Sequence, residues 1–268
     1  VTPFEIVCEI EPATRPDLRG VRHQIGTLDR IATSFLIPDN HIGRATVSSI
    51  AVAHEVGLMG GRAIACLNAR DRNVLGFRRD LLTAAAYGVD EFLFVYGDRP
   101  ESGRRSDDLT VRSMIDEARS FADRVAGQHG GFDRPIRIGV SAGRAPLPAW
   151  KHAADALFAQ VSFDVEPLLE WRRSIDFDGP VYAGVMVVAS AAMGRKLSAE
   201  VPQLAVPRAI LDRLEHDRSA GVELACELVE QIRDSGAFDG VHLIPVGRYR
   251  EVAARLEAPR ASHPRSVS

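Results

Sequence analysis

Glu9 is the residue of this chain best placed to handle a proton. It stands in the run Phe4-Glu5-Ile6-Val7-Cys8-Glu9-Ile10, where β-branched residues spell a strand and apolar neighbours flank the carboxyl on both sides. A carboxyl partly buried in a strand holds its proton more readily than one in water, which is what a general acid working near neutral pH requires. The same position suits a structural ion pair with one of the many arginines. The residue types weigh the two roles equally.

Other polar residues follow other strand-like runs: Asp39, Asn40 and His41, then Asn68, Arg70, Asp71 and Asn73, then Asp98, then Gln160, Ser162 and Asp164. Each has an ordinary reading, because loop backbones need partners and water. Their collective placement at strand C-termini is the informative feature. Rival chemistries fail on spacing. Gly57, Gly60 and Gly61 lack the G-x-G-x-x-G pattern and lead into a strand, and His54-Glu55 has no second His at the zincin interval. There is no P-loop, EF-hand or nucleophile elbow. Cys8, Cys66 and Cys226 are odd in number with no C-x-x-C spacing, which argues against a disulfide framework or zinc ribbon and for a reducing cytoplasm.

The elements that must position these residues follow from length and pattern. The 268 residues, 46% apolar and 26% charged, suit one large α/β barrel or two ordinary domains. Thirty-three basic against 36 acidic residues, a net charge of −3, leave no nucleic-acid footprint. The longest uncharged stretch, 179–194, is interrupted by Pro180 and is too short to span a bilayer. No secretory signal pattern opens the sequence, so the expected setting is soluble and cytoplasmic.

Eight β-branched runs recur, at 4–10, 31–37, 62–68, 91–97, 135–141, 156–162, 180–187 and 240–246. Several are apolar on both parities, as parallel strands covered on both faces are. Helical patterns lie between them at 44–57, 75–87 (with Gly88 as cap), 107–126 (opening on the acidic pair Asp107 and Asp108) and 219–235 (with Gly236 following). A further Pro-led helix starts at Pro207. This alternation predicts a single-domain (β/α)8 TIM barrel over 1–257 and a flexible tail over 258–268. An open doubly wound sheet is the alternative. The link between the fifth and sixth strands carries Pro146 and Pro148 and has room for two helical turns at most, so the fifth helix is shortened.

The ordered set EIEP (9–12), Asn73 before a helix ending Tyr87-Gly88-Val89, VYGDRP (95–100), IGV (138–140), AQVSFD (159–164), Val206-Pro207 and GVHL (240–243) resembles the methylenetetrahydrofolate reductase family. The resemblance runs from about residue 4 to residue 248, and its most specific pieces are the G-D-x-P turn and the Q-x-x-F-D turn. It implies a barrel that reduces 5,10-methylenetetrahydrofolate to 5-methyltetrahydrofolate. By it Glu9 is the acid that opens the five-membered ring, Asp98 lies beside the pterin, Gln160 hydrogen-bonds the folate, and Phe163 packs near it. For Phe163 a place in the barrel core is the competing reading.

The departures are equally specific. Flavin-containing members carry a His in the third-strand motif, where this chain reads Ala65-Cys66-Leu67-Asn68. They carry Y-P-E-x-H after the fifth strand, where this chain reads SAGRAP (141–146). They also have a full fifth helix that holds FAD, reduced here to PAWKHAAD (148–155) with Lys151 and His152 as remnants. The pattern resembles the flavin-independent branch, with NADH or NADPH as co-substrate and FAD absent. The alternatives are an FAD-dependent reductase with rearranged contacts and a folate-binding barrel without turnover. Arg70, Arg72, Arg99 and Arg144 near the barrel mouth are candidates for a ribose phosphate, a folate glutamate tail or neither.

Overall fold

The computed structural model describes residues 3–126, 131–132, 134–143 and 146–257. The tail expected at 258–268, and Arg144, lie outside the described residues.

Eight parallel strands close into a barrel in chain order: β1 (Glu5–Glu9), β2 (Ser34–Ile37), β3 (Ala63–Asn68), β4 (Glu91–Val95), β5 (Arg137–Ala142), β6 (Ala156–Val161), β7 (Val181–Met186) and β8 (Gly240–Ile244). The ring is completed by β1 pairing with β8, with Val7 beside His242 and Cys8 beside Leu243. Around it run α1 (Arg19–Leu28), α2 (Ser49–Leu58), α3 (Val74–Ala86), α4 (Val111–Val125), α5 (Val165–Arg173), α6 (Ala191–Glu200), α7 (Arg208–His216), α8 (Ala220–Ser235) and α9 (Tyr249–Glu257). All eight expected strands are present, and the architecture is the (β/α)8 TIM barrel. Among the described residues no helix is long and apolar enough to cross a membrane.

Alternation along each strand sorts the side chains into two cores. Ile6, Cys8 and Ile10 belong to the large cluster that packs the helices on the barrel, with Phe94 against Phe77 of α3 and Phe92 beside Phe94. Val7 belongs to the small inner cluster with Leu36, Ile64, Cys66, Leu93, Ala156, Phe158 and Tyr182. Strands buried on both faces read as continuous apolar runs, which is why they were legible. Gly139 on β5 leaves room for the Phe158 ring, since a Cβ there would lie 2.7 Å from Phe158 Cε2. A layer of charge closes the N-terminal end of the barrel. Tyr182 donates its hydroxyl to Glu5 Oε2 at 2.7 Å, and Arg62 reaches Glu91 at 3.0 Å and Glu5 at 3.8 Å. Burial, reinforced by the bond to Glu5, pushes the Tyr182 hydroxyl well above its usual range.

Several helix ends differ from expectation. The acidic pair does not open α4: Thr110 caps it in a reciprocal capping box with Ser113. Asp108 instead accepts from Val74 N at the start of α3, and Asp107 pairs with Arg105. The helix expected from residue 44 starts at Ser49, because residues 44–48 form the loop that leads into α2. After β7, Ser190 caps α6, a helix not expected from the sequence, by accepting from Met193 N. Gly88 and Gly236 stand just beyond α3 and α8 at φ of 67° and 63°, as expected. Between β5 and β6 the described residues hold a 3-10 helix, Ala149–Ala153, and no α-helix.

Candidate active site

Glu9 is the last residue of β1 and only 9% exposed. Period-two alternation puts it on the face of Val7, inside the barrel, while Cys8 and Ile10 turn outward. Its partner is no arginine. His242 on β8 brings Nε2 to 3.1 Å from Glu9 Oε2, and both side chains are largely buried. That contact requires one proton between the two groups, on the imidazole nitrogen or on the carboxyl. The His242 ring stands edge-on to Phe158, with centroids 5.8 Å apart, and Phe158 lies tilted on Tyr182 at 5.0 Å. The imidazole is therefore held from below by an aromatic floor and faces Glu9 at the rim. A titratable pair on an apolar floor is equipped to hold a proton and release it to a neighbouring base.

Asp98 and Gln160 stand exposed at the same, C-terminal end of the barrel. Asp98 follows Gly97, whose φ is +95° and whose missing Cβ would lie 2.9 Å from the Cβ of Asn68. This turn fits against the end of β3 only as glycine. One Asp98 oxygen accepts from Ile42 N at 3.2 Å, and the other has no hydrogen-bond partner among the described residues. Ile42, 63% exposed and at φ 55°, is a strained β-branched residue at the rim. The Gln160 amide has no protein hydrogen bond among the described residues. Phe163 stands two residues past the end of β6. It is half-buried against the satellite cluster of Val188, Ala191, Val206, Leu214 and Ala220 and borders a small cavity with Met186 and Ile210.

A second polar group sits over the ends of β2 and β3. Asn68, fully buried, donates Nδ2 to Asp39 Oδ2 at 2.7 Å and to Asp71 Oδ2 at 3.0 Å. Arg72 bridges Asp39 at 2.7 Å and Asp80 at 3.0 Å and also donates to the Asn68 carbonyl. Burial opposes the Asp71 carboxylate, but hydrogen bonds from Arg70, Asn40 and Asn68 outweigh it and leave the group below its usual range. Arg72 is thus consumed by the scaffold and is no candidate for a ligand.

The remaining reactive groups are quiet. Burial pushes the Cys8 and Cys66 thiols far up and that of Cys226 to about 11, so none offers a thiolate near neutral pH. Among the described residues no group of His, Cys, Asp and Glu is arranged to hold a metal ion. Of the two residues that the resemblance marks as remnants of a flavin-holding helix, Lys151 donates Nζ to the Ser141 carbonyl at 2.6 Å, and His152 lies 6.1 Å from the Phe177 ring.

His242 is the residue that sequence reasoning passed over. It stood within GVHL without a role, and the signal was present as one ionisable residue in an otherwise apolar strand.

The family model for methylenetetrahydrofolate reductase matches residues 37–258. No curated protein sequence matches the chain. Among solved structures, an uncharacterized protein from Clostridium thermocellum that binds two copies of 5-methyl-5,6,7,8-tetrahydrofolic acid is similar at TM-score 0.63 and 12% identity, covering 96% of this chain and 94% of that one. An F420-dependent secondary alcohol dehydrogenase in complex with an F420-acetone adduct is similar at TM-score 0.56 and 10% identity, over 96% and 98%. At such identities these likenesses establish the barrel fold alone.

Proposed function

The chain belongs to the methylenetetrahydrofolate reductase family, and from that premise we propose that it reduces 5,10-methylenetetrahydrofolate to 5-methyltetrahydrofolate with hydride taken directly from NADH or NADPH. The observation that carries the reading is the buried Glu9–His242 pair at the barrel mouth. Methylenetetrahydrofolate holds its one-carbon unit between two nitrogens, and one C–N bond must break before the carbon can accept hydride. Protonated Glu9 gives its proton to the departing nitrogen. The lone pair of the other nitrogen then makes the carbon an iminium, and hydride from the nicotinamide completes the methyl group. One hydride and one proton enter the folate, and the nucleotide leaves oxidised. His242 keeps Glu9 in place and supplies a nearby site from which the carboxyl regains its proton.

Asp98 and Gln160 suit the pterin. Its edge offers N–H donors beside a carbonyl acceptor, and a carboxylate with a free oxygen and an unpaired amide complement that pattern. Phe163, only half-buried on its apolar cluster, keeps part of its ring for packing near the folate.

A flavin is poorly served by the residues present. The connection after β5 has a five-residue 3-10 helix where flavin-containing relatives have a full helix, and Lys151 is spent on a backbone carbonyl. These features support a reductase in which nicotinamide and folate lie together, and proximity then supplies much of the rate. A folate-binding barrel without turnover is the second reading, suggested by the neighbour that binds 5-methyltetrahydrofolate. Binding alone does not require a buried carboxyl paired with an imidazole.

The test is to supply the purified chain with methylenetetrahydrofolate and NADH or NADPH without added flavin. The expected result is one 5-methyltetrahydrofolate formed per nucleotide oxidised, by a protein without a flavin absorption band. A stoichiometric flavin spectrum, or activity strictly dependent on FAD, would replace direct transfer by a flavin route. Folate binding with no product from either nucleotide would leave the binding barrel.

A further inference from the structure

The loop after β4 folds back over the loop after β3. Arg70 N donates to the Tyr96 carbonyl at 3.2 Å, and Ser106 N donates to the Arg70 carbonyl at 2.7 Å. Between these crossing points the β4 loop encloses a cleft of about 650 Å³ walled by Arg70, Tyr96, Asp98, Arg99, Glu101 and Arg105. Its carboxylates are partly engaged: Glu101 pairs with Arg44 at 3.3 Å, and Asp98 spends one oxygen on Ile42 N at 3.2 Å while its charge acts on Arg70. Two of the cations keep unmet donors.

Arg70 is 1% exposed and forks onto Asp71 through Nε at 2.6 Å and Nη2 at 2.9 Å, yet its Nη1 is buried without a hydrogen-bond partner. A guanidinium cannot shed its proton to escape that situation, so an oxygen acceptor is what the position lacks. Arg99 has no carboxylate partner among the described residues. Beside them Tyr96, 46% exposed, presents a ring over which the Arg105 guanidinium lies at 5.1 Å. The cleft thus offers forked cationic donors next to an aromatic surface. That combination recognises an oxyanion attached close to a flat ring.

We propose that this cleft binds the phosphate or carboxylate of a ligand that also carries an aromatic ring, with Arg99 receiving the oxyanion, the buried Arg70 charge behind it, and Tyr96 receiving the ring. The inference deepens the reductase reading and rests on it for its two candidate sources. One is the adenosine phosphate end of the nicotinamide dinucleotide. The other is the p-aminobenzoyl-glutamate tail of the folate. Asp98 belongs both to the rim and to the cleft, so a molecule seated at the rim can extend into it without a break.

The experiment is calorimetric titration of the full chain with 5′-AMP and, separately, with p-aminobenzoyl-glutamate, repeated on Arg99→Ala and Arg70→Lys. At least one fragment should bind saturably at one site per chain, and each substitution should weaken it about tenfold or more, as loss of a charge-assisted fork does. Binding of 5′-AMP assigns the cleft to the nucleotide, and binding of p-aminobenzoyl-glutamate assigns it to the folate tail. Failure of both fragments, or equal affinity in Arg99→Ala, would overturn the proposal. Arg99 is exposed, so that variant remains informative if Arg70→Lys fails to fold. Neither fragment is a substrate for reduction. A chain that binds them but does not reduce folate would strike only the preceding reading, and a chain that reduces folate but binds neither would strike only this one.

Discussion

His242 and Glu9 meet at the seam where the last strand closes on the first, Nε2 to Oε2 at 3.1 Å, although 233 residues separate them in sequence. Barrel closure is therefore what creates this buried pair, and neither strand holds it alone.

That relationship separates two substitutions. His242→Gln keeps an N–H donor at similar reach, whereas His242→Leu removes it and strands a buried carboxyl. Turnover should fall by roughly tenfold or more in the leucine variant, the scale of a buried group left unpaired. The glutamine variant should recover most of it, with folate affinity alike in both. Equal turnover in the two variants, measured beside folate titrations, would reduce His242 to a packing residue.

Asp98 and Gln160 have exposed side chains with hydrogen-bonding capacity to spare. Asp98→Asn and Gln160→Ala should each weaken folate binding by about 1–3 kcal/mol, the range for one hydrogen bond to a buried polar edge. Circular dichroism should show both variants folded. Unchanged folate affinity in both would remove them from the site.

Strand positions were legible in the sequence because both faces of each strand are buried, and that leaves continuous apolar runs. Glu9 was legible as an acid in an apolar strand. Its partner was not, because nothing local links residues so distant, and the many arginines were the more obvious candidates. Asp107 and Asp108 misled for a related reason. They stand before a helix, but one is drawn to Arg105 and the other to Val74 N at the start of α3, so Thr110 makes the cap. Phe163 marked a turn after β6, and what the sequence did not show is that its ring packs on an apolar cluster built by α6, α7 and α8.

The rim network sets an acid limit on stability. The Asp71 carboxyl is held below its ordinary value in the folded chain by Arg70, Asn40 and Asn68, against the opposing effect of burial. Its contribution is complete above the unfolded value of about 4 and is lost as pH falls through the lowered folded value. Asp71→Asn should be less stable than the parent at about pH 7, and the gap should narrow toward about pH 2. Denaturant melts across that range check this, and a gap independent of pH would contradict the assignment.

Direct hydride transfer has an isotopic signature. Nicotinamide deuterated at the transferring position should place its deuterium in the product methyl group without dilution by solvent hydrogen. Steady-state rates should follow a ternary-complex pattern, because both substrates must be bound together. Washout of the label, or parallel double-reciprocal lines, would indicate an enzyme-held hydride carrier.

The central claim is that Glu9 is the acid that opens the folate ring, and Glu9→Gln tests it most directly. Glutamine has nearly the same volume and can still hydrogen-bond His242, so β1 should keep its packing. It has no carboxylic proton to give. The measurement is 5-methyltetrahydrofolate formation at saturating folate and nucleotide, parent against variant, with folate binding titrated alongside. The account predicts a turnover roughly 10²- to 10⁴-fold lower, the usual share of a general acid, with folate still bound. A variant that forms product at the parent rate would contradict it.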